Sequence, residues 1–263
     1  PWWGGWNPTP PELVIDIEAE IGPDGKFSIP IDTALAKALH GDEDHAYKIT
    51  AEVTDESRRV ITGGGEVLVA RRPFKVFAWT NRGYYHVGDT INAQFQARTI
   101  SGNPVSGPAI LKLLRIAYDK DGKPEEVVAQ TWDLKTDEAG QVSQQIRATA
   151  AGQYRLSMTV TDSEGHQIEG GYLFFVRGEG VDDSQFRFND LEIISEQAEF
   201  SVGKKATFQI STNRESSTVL FFERPSSGTY KGRPRLLSLT GKTTTSDLEI
   251  VKNDMPNFFV EVV

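Results

Sequence analysis

A gapless internal repeat constrains this chain most. The stretch Tyr47-Lys-Ile-Thr-Ala-Glu-Val53-Thr54-Asp55, continuing to Ile61, Gly63, Gly64 and Val69, returns 107 residues later. Its second copy runs Tyr154-Arg-Leu-Ser-Met-Thr-Val160-Thr161-Asp162, then Ile168, Gly170, Gly171 and Val176. A fixed period of this length marks repeated structural units. Within the second copy, Tyr154, Leu156, Met158 and Val160 alternate with polar residues, the period of a strand with one buried face. Thr161-Asp162-Ser-Glu-Gly165 is a turn cluster, so each copy predicts an antiparallel hairpin. Tyr47 and Tyr154 should then occupy equivalent inward positions, flanked by Ile49 and Leu156.

A second repeat joins the middle of the chain to its end. Tyr85-His-Val87-Gly88 and the alternating run to Phe95 align with Phe200-Ser-Val202-Gly203 and the run to Ile210, 115 residues on. Asn257-Phe258-Phe-Val260-Glu-Val262 follows Gln153-Tyr154-Arg-Leu156-Ser-Met158 at 104. Units of about 100 residues with short alternating strands predict an all-β chain of tandem seven-strand immunoglobulin- or fibronectin-like sandwiches, the terminal units incomplete.

Three regions follow: 1–73, a partial sandwich with a Trp-rich N-terminal segment; 74–180, a complete one; and 188–263, one lacking its last strand. The middle region predicts strands near 75–80, 89–98, 108–118, 126–135, 140–148, 152–162 and 167–177. Gly178 to Ser184 reads as a linker. The first region predicts strands at 12–20, 25–31, 45–55 and 60–70. The last predicts strands near 190–195, 203–212, 217–224, 232–240, 242–250 and 256–263, with an open edge beside the final one. Asp32-Thr-Ala-Leu-Ala-Lys-Ala-Leu39 predicts one short helix, capped by Asp32 and stopped by Gly41.

Composition narrows function. Hydrophobic residues make up 38% and charged residues 25%, an ordinary globular balance. No run nears the roughly 18 apolar residues of a membrane span. With 28 basic and 37 acidic residues the net charge is −9, which argues against nucleic acid and against anionic membrane as partners. The chain has no cysteine, so it offers no disulfide, thiolate metal site or cysteine nucleophile.

The search for chemistry predicts no catalytic, cofactor-binding or metal residue. His40-Gly-Asp42-Glu43-Asp44-His45 is the one cluster with metal-ligand residue types, yet its spacing fits neither a calcium loop nor a zinc helix, and a solvated loop is expected. His86 and His166 fall in turns with no carboxylate expected to orient them. Gly63-Gly-Gly65 enters a strand rather than a helix, which predicts a bulge or flexible hairpin rather than a phosphate loop. Asp55 and Asp162 recur at equivalent positions, which suits turn formers better than catalytic acids. Trp2, Trp3 and Trp6 lie in Pro1 to Pro8 and allow either a carbohydrate or partner platform or a packed terminal loop.

Together these residues carry a resemblance. Asn81-Arg-Gly-Tyr-Tyr85-His-Val-Gly88-Asp-Thr90 resembles the strand entry of bacterial α2-macroglobulin-like proteins. Tyr47 to Gly64 resembles the closing hairpin of a macroglobulin domain. Leu191-Glu-Ile through Met255-Pro-Asn-Phe-Phe-Val260 resembles the start of the domain around the bait region. The resemblance covers nearly all of the chain after residue 12. It implies a non-catalytic scaffold section of a secreted endopeptidase trap, periplasmic or extracellular, with target endopeptidases and neighbouring macroglobulin domains as partners. The family's thioester needs a cysteine, so that chemistry would lie elsewhere in the parent. The alternative is a repetitive β-sandwich module of an extracellular adhesin or stalk protein.

Overall fold

The structure, a computed structural model, describes residues 11–41, 43–55, 57–178, 183, 186–197, 199–226 and 228–263. It falls into two compact units that meet in sequence between Arg71 and Arg72. Nearly all regular structure is β. Trp2, Trp3, Trp6 and Asp42 lie outside the described residues.

In the first unit, α1 (Ala34–His40) starts where the Asp32 carboxylate accepts the Ala34 N–H at 2.8 Å. It ends at Gly41, whose φ of 63° returns its N–H to the Lys37 carbonyl. A hairpin follows, β1 (His45–Thr54) against β2 (Val60–Val69). Tyr47 and Ile49 are half-buried between exposed neighbours, as the alternation requires. The glycines Gly63 to Gly65 pair in unbroken register with Ala51, Thr50 and Ile49. The expected bulge is therefore absent, because a continuous ladder satisfies every backbone group without one.

The strands expected at 12–20 and 25–31 do not form. Only the turn between them does, with Gly22 and Lys26 joined at 3.1 Å. Leu13, Ile15 and Ile17 alternate, but a strand exists only where a partner supplies its ladder, and Leu13 stays 82% exposed.

The second unit opens with a sandwich whose sheets are β3 (Lys75–Thr80), β5 (Thr90–Arg98) and β8 (Gln141–Arg147) on one side. On the other are β4 (Tyr84–His86), β10 (Gln167–Arg177), β9 (Gly152–Thr161), β6 (Pro108–Tyr118) and β7 (Pro124–Lys135), paired in that order. Seven expected strands are present, and β4 is an eighth. Between the sheets lie Phe95, Leu111, Ile146, Leu156, Met158 and Phe174, each at most 2% exposed. The pairs Tyr154–Phe174, Leu156–Tyr172 and Thr161–Gln167 reproduce Tyr47–Val67, Ile49–Gly65 and Thr54–Val60 rung for rung at the 107-residue offset.

One turn design closes three hairpins and also makes the crossing from β7 to β8 in the other sheet. At Asp55, Asp119, Asp137 and Asp162 the backbone N–H donates to the carbonyl four residues on, at 2.9–3.1 Å. The carboxylate accepts the N–H of that same residue at 2.8–2.9 Å. The repeated aspartates are thus turn formers. The fourth residue of each turn has positive φ: Gly122, Gly140 and Gly165, but Arg58 in the first unit. An L side chain there costs about 1–2 kcal/mol, part of which glycine's freer unfolded chain returns. Arg58→Gly is expected to stabilise the first hairpin by about 0.5–1 kcal/mol, read as slower amide exchange along β1; unchanged exchange would disprove the strain.

Among the described residues six strands form the last region: β11 (Glu192–Ser195), β12 (Lys205–Ser211) and β15 (Thr243–Glu249) in one sheet, β14 (Arg235–Ser238), β13 (Thr218–Pro225) and β16 (Phe258–Val262) in the other. They enclose Ala206, Phe208, Ile210, Val219, Phe221 and Leu248. The strand-entry repeat is also exact in three dimensions. Gly88 donates to the Ala148 carbonyl and Gly203 to the Ile250 carbonyl, both at 2.8 Å. Both glycines have positive φ, 98° and 80°.

Candidate functional site: the joint between two sandwiches

The residues just after the expected linker, together with Asp183 inside it, join the two sandwiches by aromatic and polar contacts. The aromatic residues, Phe186 and Phe188, belong to neither sheet. Phe188 is 7% exposed and its ring centroid lies 4.7 Å from that of Phe175 on β10. Phe186 stands 6.2 Å from both rings. Tyr84 on β4 and Ile194 on β11 complete this small third core. A Cβ on Gly83 would meet Ile194 Cγ2 at 1.9 Å, so the approach of the two sandwiches there depends on a hydrogen at that position.

Side-chain hydrogen bonds pin the same strap from both sides. Gln153 of β9 accepts from the Tyr118 hydroxyl at 2.8 Å and donates to the Arg187 carbonyl at 3.0 Å. The Arg187 guanidinium covers the Tyr118 ring. Asn213, just beyond β12, accepts the Phe188 N–H at 2.8 Å and donates back to its carbonyl. The Asp183 carboxylate takes the Thr243 hydroxyl at 2.5 Å and the Lys242 N–H at 3.2 Å, while Lys242 Nζ reaches the Phe186 carbonyl at 3.0 Å. Lys242 is 4% exposed. A pocket of about 290 Å³ lies between Phe175, Arg177, Phe186, Phe188, Gln209 and Thr243.

The electrostatics are those of a structural joint. Burial pushes the Tyr84 and Tyr118 phenols up. Among the described residues, the pocket-lining hydroxyl that meets a carboxylate is that of Thr243, and its bond to Asp183 closes the strap. The arrangement fixes one sandwich against the next. Sequence reasoning missed it, although the alternation Phe186-Arg-Phe188 inside a Gly- and Asp-rich stretch was the available signal.

The other candidates distribute differently. The rings of His40 and His45 lie 5.5 Å apart and tilted by 58°, His40 meets Glu12 at 3.4 Å, and the Asp44 carboxylate accepts the Arg71 N–H at 3.0 Å. Among the described residues no three His, Asp or Glu side chains converge as a metal site. His166 departs from expectation. The Asp162 turn folds its carboxylate back to 2.9 Å from His166 Nδ1, which raises the imidazole pKa. His86 lies 4.0 Å from Asp89.

A charge ladder crosses the outer face of the five-stranded sheet. Arg155 on β9 binds Glu126 on β7 through two bonds of 2.7 Å and Glu169 on β10 at 2.6 Å. The guanidinium holds both carboxyls below the usual range. Depressed carboxylate pKa values stabilise above the ordinary glutamate value, and that contribution is lost as pH falls through the depressed ones. Arg155→Met is expected to cost at most about 1 kcal/mol near neutrality. It should also flatten the loss of urea resistance between neutral and acid pH; parallel profiles would show that the ladder contributes nothing.

No family model matches the chain, and no curated protein matches it in sequence. Among solved structures it is similar to the native conformation of Escherichia coli alpha-2-macroglobulin seen by cryo-EM, at 9% identity and a TM-score of 0.33, over 84% of this chain and 17% of that one. It is similar to the crystal structure of trypsin-activated alpha-2-macroglobulin from E. coli at 11% identity and a TM-score of 0.35, over 84% and 18%. A tetra-tandem repeat from the extending region of a large adhesion protein matches at 10% identity and a TM-score of 0.29, over 83% and 55%. The chain thus spans less than a fifth of the length of the two E. coli structures. No described helix is long and apolar enough to cross a membrane.

Proposed function

We propose that this chain is a non-catalytic scaffold section of a bacterial α2-macroglobulin-like endopeptidase inhibitor, working in the periplasm or outside the cell. The observation that carries the reading is the pinned joint. Two sandwiches are locked by a shared aromatic core and by hydrogen bonds from three separate strand ends. A trap that must convert one cleavage into a rearrangement needs rigid bodies between its moving parts. The residue resemblance of Asn81–Thr90, Tyr47–Gly64 and Leu191–Val260 supports the choice of family.

Its partners on this reading are target endopeptidases, met through the whole parent, and neighbouring macroglobulin domains. The test is protection by size. The polypeptide that carries this chain is mixed with trypsin, and cleavage of casein is compared with cleavage of a chromogenic tripeptide. Trapping predicts loss of the first with retention of the second. Equal retention of both overturns the proposal, and so does inhibition of both by residues 1–263 alone.

A further inference from the structure

Among the described residues the outer edge of β16 carries no strand, the sheet order being β14-β13-β16. Its counterpart β9 carries β10, which pairs in turn with β4. Both flanks of β10 have equivalents here. Phe258, Val260 and Val262 stand where Tyr154, Leu156 and Met158 stand, and Phe200 stands where Tyr85 does. Between these flanks is a groove of about 780 Å³ lined by Ile193, Phe200, Phe208, Phe258 and Val260.

The backbone is directed to match. Asn257 gives its carbonyl to Ser226, and Val263 exchanges both bonds with Leu220, so the odd residues of this run pair with β13. Residues 258, 260 and 262 then aim their N–H and C=O groups at the groove. We propose that the groove binds an extended peptide strand from outside these 263 residues. It would run antiparallel to β16, with bulky apolar residues at alternate positions. The chain's own β10 shows the fit: Phe174 would face Phe258, Tyr172 would face Val260, and the small Gly170 would face Val262. An exposed apolar edge without such a cover is a liability that folded proteins avoid, and strand addition is an established mode of peptide recognition. The inference is independent of the protease-trap reading.

The probe is a fluorescent synthetic peptide of the sequence Gln167 to Arg177, titrated with the intact chain. In the middle sandwich the Arg177 carbonyl serves Val87, so Tyr172 and Phe174 direct their N–H groups to the opposite edge, toward β9. A second peptide N-methylated at Tyr172 and Phe174 is expected to bind roughly ten-fold or more weakly. Val260→Pro, which removes an outward N–H and no bond to β13, should have the same effect. Saturable one-to-one binding that methylation weakens supports the proposal. Equal binding of both peptides, absence of binding at millimolar concentration, or a dimer of the chain that the peptide does not dissociate overturns it.

Discussion

Gly170→Ala is expected to destabilise the middle sandwich by about 3 kcal/mol, while the same change at Gly63 stabilises its hairpin slightly. The two positions are repeat equivalents on strands of identical register. A Cβ at Gly170 would lie 2.0 Å from the Val76 carbonyl of β3, a backbone atom that moves only with its sheet. Forcing that separation is overpacking of the costlier kind. At Gly63 a Cβ meets nothing within 4 Å, so alanine there gains about 0.5–1 kcal/mol from reduced backbone freedom. Urea unfolding, read by amide exchange on β9 and on β1, separates the two outcomes. Equal effects at both sites would show that the close approach of the sheets does not govern this glycine.

Phe188→Ala is expected to cost about 3–5 kcal/mol, the usual penalty for truncating a buried phenylalanine, and to change the form of unfolding. Phe188 fills space that neither sandwich core reaches, so its loss removes most of what the strap gives to Phe175 and Tyr84. Calorimetry of the intact chain should show the cores of Phe95 and Phe208 melting together, and of the variant apart. A single transition that merely shifts would mean the hydrogen bonds around Gln153 and Asp183 couple the sandwiches without the aromatic cluster.

The elements most legible in the sequence were those whose signal is local. Alternation placed β10 to the residue and β9 to within one, and the cluster from Asp162 to Gly165 predicted the turn between them. What escaped depends on distant partners. Tyr84 to His86 is a strand only because β10 passes beside it, and three residues carry no period of their own. Residues 12–20 show the opposite failure, an alternating pattern without a ladder. His166 was misread because Asp162 was assigned to the turn backbone alone, although a carboxylate has two oxygens and the turn brings the residue four positions on back to it. The joint escaped because Gly, Asp and Ser dominate its composition while two phenylalanines decide its structure.

The parallel pairing of β4 with β10 has a mechanical consequence. The chain enters this sandwich through β3, which pairs with β5, passes on to β4 and leaves along β10, and β4 and β10 run the same way. Once β3 has come away from β5, tension on the ends of the chain drags β4 and β10 past each other. The bonds from Tyr84 through His86 to Phe175 through Arg177 are loaded together in shear rather than opened one at a time. Rupture must break the whole patch in a single event, with the aromatic cluster at Tyr84 and Phe175 directly beneath it. The final sandwich has no such clamp among its described residues. Under load the middle sandwich should hold while the final one yields first, so the position of one strand sets the order in which the chain gives way.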